Sequence, residues 1–279
     1  MTNEYLFSII FKVSKNELEK LYEMKKKIFK KIALLLLLLS CFSAVACSQI
    51  DNSIIKMVDI KLTEEEYAVV CKKGNTALAQ SMNDFMSEIK ANGEFDALVA
   101  KYFKGEGEKI GYPIATGDVQ NTKDNFVVAT NCPFAPFEYM ENDGLIYGLD
   151  IEIAASYAES HGLELVIKNI GFNDIFVQVD AGYADIGMAG ITVDAEREKT
   201  YDFTKPYYEA SQKLIVLSGN SDFDKCESVS DVEAMLSSLN GVGVGFQSAT
   251  TGSLYICGDE SWGFEGFANL DGKAYANAQ

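Results

Sequence analysis

Between Phe126 and Met188 short apolar runs alternate with amphipathic stretches, and no other feature of the chain constrains its fold so tightly. Residues 126–130, 163–167 and 184–188 are brief apolar segments of strand length. Residues 150–160 place Ile151, Ile153, Ala154 and Tyr157 on one helical face, closed by Gly162, and 173–181 form a second, shorter helix. Strand–helix alternation of this kind packs as α/β with a largely parallel sheet. Further on, 213–217 is extended, 231–239 helical and 242–246 a strand running into a helix start at 248–251. Residues 271–279 read as a helix.

Upstream, 52–62 and 67–71 read as strands. From Thr76 the pattern turns helical, with Leu78, Met82, Phe85, Met86 and Ile89 on one face and Asn92-Gly93 as a left-handed stop. A second helix carries Phe95, Leu98, Val99, Tyr102 and Phe103. Residues 105–123 hold Gly105, Gly107, Gly111, Pro113 and Gly117 with little periodicity, and read as a linker.

The first 46 residues hold eight lysines against four glutamates, so a net charge of −17 leaves about −21 on the remainder. Such a polyanion repels nucleic acid and anionic headgroups, so neither is expected as a partner. Hydrophobic residues make up 48% of the chain, enough for a packed core. The lysine cluster after Met24, the apolar run 32–39 and Ala44-Val45-Ala46-Cys47 follow the order of a secretory signal. Residues 1–46 are therefore read as an export segment whose true start could be Met24. Cys47 resembles a lipobox cysteine that would be lipidated, with Cys41 as a second candidate; an uncleaved membrane anchor is the alternative. The expected location is extracytoplasmic, lipid-anchored to the outer face of the cytoplasmic membrane. Six cysteines without a CxxC pair and a lone His161 give no Cys/His metal site. Cys226 and Cys257 could pair or remain free, and His161 is expected to cap a helix end.

Several motifs in 126–256 carry a resemblance: Phe134-Ala-Pro-Phe-Glu-Tyr139, Gly148-Leu-Asp-Ile151, Asp185-Ile-Gly-Met-Ala-Gly-Ile-Thr192 with Arg197, Asp202-Phe-Thr-Lys-Pro-Tyr-Tyr208 and Gly245-Phe-Gln-Ser-Ala-Thr-Thr251. In this order and spacing they resemble the family 3 solute-binding proteins, receptors of polar amino-acid ABC importers. Residues 57–105 resemble the same family's C-terminal end, so the family's tail precedes its head. A circular permutant and a remnant of a tandem pair both fit, and the notional remnant is favoured.

The resemblance implies a two-lobed, type II periplasmic-binding-protein-like α/β fold, each lobe a sheet flanked by helices, with the second lobe incomplete. The expected organisation is a family-tail segment at 47–104, the linker at 105–123, lobe 1 at 124–213 and a partial lobe 2 at 214–279. The expected function is capture of a free amino acid for an ABC permease, without catalysis and without a cofactor. A truncated non-binding remnant, a dehydratase-like enzyme and a sensor domain of the same fold are the alternatives.

A free amino acid presents a carboxylate, which suits a guanidinium fork, and an ammonium, which wants oxygen acceptors. Arg197 is the only arginine in the chain and the first candidate for the carboxylate. Pairing with Glu196 or Asp194 at the surface is its structural alternative. The resemblance adds Thr192, Ala189 and Gly190 as polar and backbone contacts, Phe134 and Phe172 as flanking aromatics, and Thr250 and Thr251 at a helix start facing the cleft. For Ala189, Phe172 and the two threonines, turn, core and capping roles compete. Asn131 matches a position where receptors for cationic amino acids carry an acid, which points to a polar, uncharged ligand side chain. The family's second-lobe acid for the ammonium has no recognisable counterpart, and Asp51 is a poor substitute. Weak or absent binding is therefore expected.

Overall fold

Strand β5 (Asn125–Thr130) is buried along nearly its whole length, and its alternation decides which layer each residue joins. Phe126 and Val128 face one core, Val127 and Ala129 the other, as a period of two requires. The computed structural model describes residues 7–8, 54–117 and 119–277; the rest of the export segment, with Cys41 and Cys47, and Asp51 lie outside them. Among the described residues no helix is long and apolar enough to cross a membrane.

The first lobe is a five-stranded sheet in the order β10-β4-β9-β5-β8. Here β4 is Val70–Lys72, β8 Glu164–Asn169, β9 Ile186–Gly187 and β10 Tyr201–Phe203. Strand β5 runs parallel to β8 and β9, pairing Val128 with Ile167 and with Ile186. Strand β4, from the upstream segment, inserts antiparallel between β9 and β10. Helices α1 (Thr76–Ala91), α2 (Glu94–Lys104) and α3 (Leu149–Ser160) cover one face, through Met82, Phe85, Ile89, Leu98, Ile153 and Tyr157. Helix α4 (Phe172–Asp180) covers the other with Ile175, Phe176 and Val179.

A second core gathers Val58, Leu62, Leu214, Val216, Val232, Leu236, Val244 and Phe246. Its strands are β2 (Ile55–Met57) against β13 (Ile215–Leu217), and β14 (Gly243–Gln247) parallel to β15 (Asp271–Tyr275). Helices α6 (Val229–Ser238) and α7 (Thr251–Cys257) complete this set, while the short helix α5 (Ala195–Thr200) leads into β10 of the first lobe. The chain passes between the lobes on two antiparallel strands, β3 (Glu65–Tyr67) and β11 (Tyr208–Ala210). The upstream segment therefore serves both lobes.

One expectation needs correction. Of residues 271–279, expected to be a helix, Asp271–Tyr275 form β15 instead, because pairing with β14 offers them a ladder that local propensity does not reveal. Residues 105–123 are more than a spacer: Tyr112 exchanges two backbone hydrogen bonds of 2.9 Å with Ile146, and Ala115 N–H donates to Ile167 at 2.8 Å. Gly111 lies so close to Tyr147 that a Cβ would stand 2.4 Å from its ring. His161 sits at the end of α3 as expected, stacked on Tyr157 at 4.1 Å, with Nδ1 2.9 Å from the Tyr157 carbonyl. Cys71, Cys132, Cys226 and Cys257 are all free thiols.

Candidate functional site

A crevice between the two lobes is walled by all nine residues named from the sequence: Asn131, Phe134, Phe172, Ala189, Gly190, Thr192, Arg197, Thr250 and Thr251. They come from loops that follow strands and from the first turns of helices α4, α5 and α7, where side chains and free backbone groups converge.

Arg197 is placed by its own helix. Asp194 precedes α5 and caps it, its Oδ1 accepting from Glu196 N–H at 2.8 Å and Arg197 N–H at 2.9 Å. Asp194 Oδ2 lies 3.1 Å from Arg197 Nε, and the pair is largely buried. The expected surface pairing with Asp194 thus exists, but in the cleft wall, where it aims the guanidinium. Nη1 donates to the Thr192 carbonyl at 2.7 Å and Nη2 to the Ala249 carbonyl at 3.3 Å. Nη1 and Nη2 each donate one hydrogen bond and Nε faces Asp194 as an ion pair, so a second N–H remains on each Nη. The fork lies 5.7 Å from the Phe172 ring centroid and 5.1 Å from that of Phe176. Phe172 therefore both lines the cleft and packs on the α4 side. Burial pulls the guanidinium pKa down, while Asp194 and Glu65 oppose it.

Gly190 has φ +52 and an added Cβ would meet the Phe134 ring at 2.5 Å, so only glycine lets that aromatic cover the loop. Its N–H donates to Asp150 Oδ2 at 3.0 Å. Asp150 also accepts from Tyr207 Oη at 2.8 and 2.9 Å. The Gly-Leu-Asp-Ile motif is thus a brace: its aspartate, at the start of α3, fixes the ligand loop from behind. Burial pushes the Asp150 pKa up to about 7, with the Gly190 and Tyr207 bonds opposing.

A carboxyl raised above its unfolded value of 3.8 favours folding below pH 4 and loses that contribution as pH rises through about 7. Asp150→Asn removes the titration. The stability difference between wild type and variant should therefore shift by a few kcal/mol between pH 4 and 8, at about 1.4 kcal/mol per pKa unit. Parallel urea-denaturation curves across this range would contradict the assignment. Glu138, Tyr207 and Tyr67 face the same pocket of charge and have raised pKa values, chiefly from burial.

Asn131 is consumed within the protein. Its Nδ2 donates to the Ile170 carbonyl at 2.6 Å, and its Oδ1 accepts from Gln247 Nε2 at 2.7 Å. Thr251 Oγ1 donates to Thr192 Oγ1 at 3.3 Å. These two contacts and the Arg197–Ala249 bond tie the lobes across the crevice. Thr250 does not cap α7 with its side chain; its hydroxyl donates to the Gln247 carbonyl at 2.8 Å. Ala249 before it holds φ 62, a conformation that suits glycine better.

Two acids line the crevice that the sequence did not single out. Glu65 is 4% exposed, and Glu138 is fully buried with neither carboxyl oxygen hydrogen-bonded. The signal for Glu65 was its spacing: two residues before buried Tyr67, it shares that face of β3, which alternates buried, exposed, buried, while Glu66 between them faces away. Tyr67, Gln212, Phe246 and Tyr275 complete much of the wall. Among the described residues no cluster of three or more His, Cys, Asp or Glu could hold a metal.

Residues 126–254 match the family described as bacterial extracellular solute-binding proteins, family 3. A probable histidine-binding protein of Neisseria gonorrhoeae is 30% identical over 148 residues, covering 53% of this chain and 50% of that protein. The arginine-binding extracellular protein ArtP of Bacillus subtilis (strain 168) is 29% identical over 96 residues, covering 34% and 37%. An ancestral arginine-binding protein solved with arginine is 27% identical, with 56% of this chain and 63% of that one covered and a TM-score of 0.46. The chain thus spans half or less of the length of these two curated relatives. The architecture is a two-lobed α/β arrangement of sheets flanked by helices, the lobes joined by β3 and β11. Over residues 126–254 this chain is similar to the bacterial extracellular solute-binding proteins of family 3.

Proposed function

We propose that the chain is an extracytoplasmic substrate-binding protein that captures a free α-amino acid between its lobes for delivery to an ABC permease. The observation that carries this reading is the buried Arg197 fork, held on three sides by the protein and keeping two N–H groups for a carboxylate. Relatives named for histidine and arginine support the ligand class. Lipidation at Cys47 would hold the protein at the outer face of the cytoplasmic membrane.

A polar, uncharged ligand side chain rested on Asn131. Each polar end of that amide already holds one bond within the protein, which weakens the ground for an uncharged side chain, and cationic amino acids belong in the panel of candidates. The upstream segment folds into both lobes of its own chain, which supports a permuted order over a tandem remnant.

Calorimetric titration of the full chain with each of the twenty amino acids tests the proposal. At least one should bind with a dissociation constant of about 10 μM or tighter, near −7 kcal/mol. Silence from all twenty refutes it.

A further inference from the structure

We propose that Glu65, on the crossing strand upstream of the family-matched region, is the acceptor for the ligand's α-ammonium group. The proposal rests on the reading of the crevice as an amino-acid site. It supplies the acid that the second lobe was expected to lack, and replaces the expectation of weak binding.

Glu65 is buried in the crevice wall, and two neighbours already orient it. Thr63 Oγ1 donates to Oε1 at 2.7 Å, and Thr192 Oγ1 donates to Oε2 at 2.8 Å. A carboxylate offers about four lone-pair sites, so about two remain. No ion pair to Glu65 forms among the described residues. A buried carboxylate without a cation is costly, and a ligand ammonium removes that cost.

Thr192 sets the spacing of the two poles. Its carbonyl takes Arg197 Nη1 at 2.7 Å while its hydroxyl bonds Glu65, so one residue holds both the cationic and the anionic group. An α-amino acid carries its carboxylate and ammonium on one carbon, which asks for two opposite charges at this close separation. Arg197 feels the Glu65 charge directly. Glu138 is the competing candidate. Its oxygens receive no donor and it faces Asp150, which together favour the neutral acid over a carboxylate ready for a cation.

The test pairs L-arginine with argininic acid and L-histidine with imidazolelactic acid, each partner having a hydroxyl in place of the α-ammonium. Glu65→Gln, which keeps the side-chain shape, should weaken both amino acids about 10- to 100-fold, the loss of one charge-assisted hydrogen bond. It should leave the hydroxy acids within about threefold. Glu65→Asp, still anionic, should fall between wild type and Glu65→Gln, and thermal unfolding should show both variants folded. Unchanged amino-acid affinity in Glu65→Gln, or equal losses for amino and hydroxy acids, overturns the proposal while Arg197 can still stand as the carboxylate site. If wild type binds none of the four compounds, the amino-acid reading falls for these ligands and this proposal falls with it.

Discussion

Replacing Arg197 with lysine is expected to weaken amino-acid binding about 100-fold or more while leaving the chain folded. The charge is kept, so the effect isolates the fork. Asp194, the Thr192 carbonyl and the Ala249 carbonyl engage three guanidinium groups, at Nε, Nη1 and Nη2. An ammonium has only three donors and no planar fork. If it serves those protein acceptors, nothing remains for a ligand carboxylate; if it turns to the ligand, buried acceptors lose their partners. Two charge-assisted bonds at about 1.5–3 kcal/mol each set the scale. Comparable calorimetric affinities for wild type and Arg197→Lys would show that the carboxylate binds elsewhere.

Replacing Gly148 with alanine should have the largest effect on stability. Gly148 precedes α3 with φ +143, and an added Cβ would sit 1.8 Å from the Phe137 carbonyl oxygen. The loop cannot retreat easily. Leu149 N–H donates to the Pro136 carbonyl at 3.0 Å and Asp150 N–H to the Phe137 carbonyl at 3.1 Å, so the loop's carbonyls satisfy the first turn of the helix. The backbone penalty and the overpacking penalty are each about 1–3 kcal/mol. A total near 3–5 kcal/mol is a large part of the roughly 5–15 kcal/mol that holds a domain together. Urea denaturation measures it directly, and a loss under about 1 kcal/mol would mean that the loop and helix are not locked as described. The same variant should loosen Asp150, and through it the Gly190 loop, so any folded fraction should bind ligand poorly.

Much of the first lobe was legible because its strands are buried on both faces and its helices on one, which leaves unmistakable runs in the sequence. The nine site positions were legible for a related reason. They lie in loops after strands and in the first turns of the helices that follow, where local motifs dictate geometry, as Gly190 under Phe134 illustrates. What escaped notice was set by distant pairing. Strand β15 exists because β14 lies beside it. Residues 105–123 contain glycines typical of a linker, yet Glu152 accepts from Ile110 N–H at 3.1 Å and Tyr112 bonds Ile146, so the segment is bound down. Glu65 stood in a run of three glutamates that resembles a solvated charge cluster. Only the pairing of β3 with β11, next to buried Tyr67, turns it inward toward Thr192.

The most direct measurement is a pair of calorimetric titrations of the full chain, one with the amino acid that binds best in the panel of twenty and one with its methyl ester. The ester keeps the side chain and the ammonium but has no carboxylate charge for Arg197. The account predicts saturable binding of the acid at one site per chain and an ester at least about 50-fold weaker, some 2.3 kcal/mol. Equal affinity for acid and ester would contradict it.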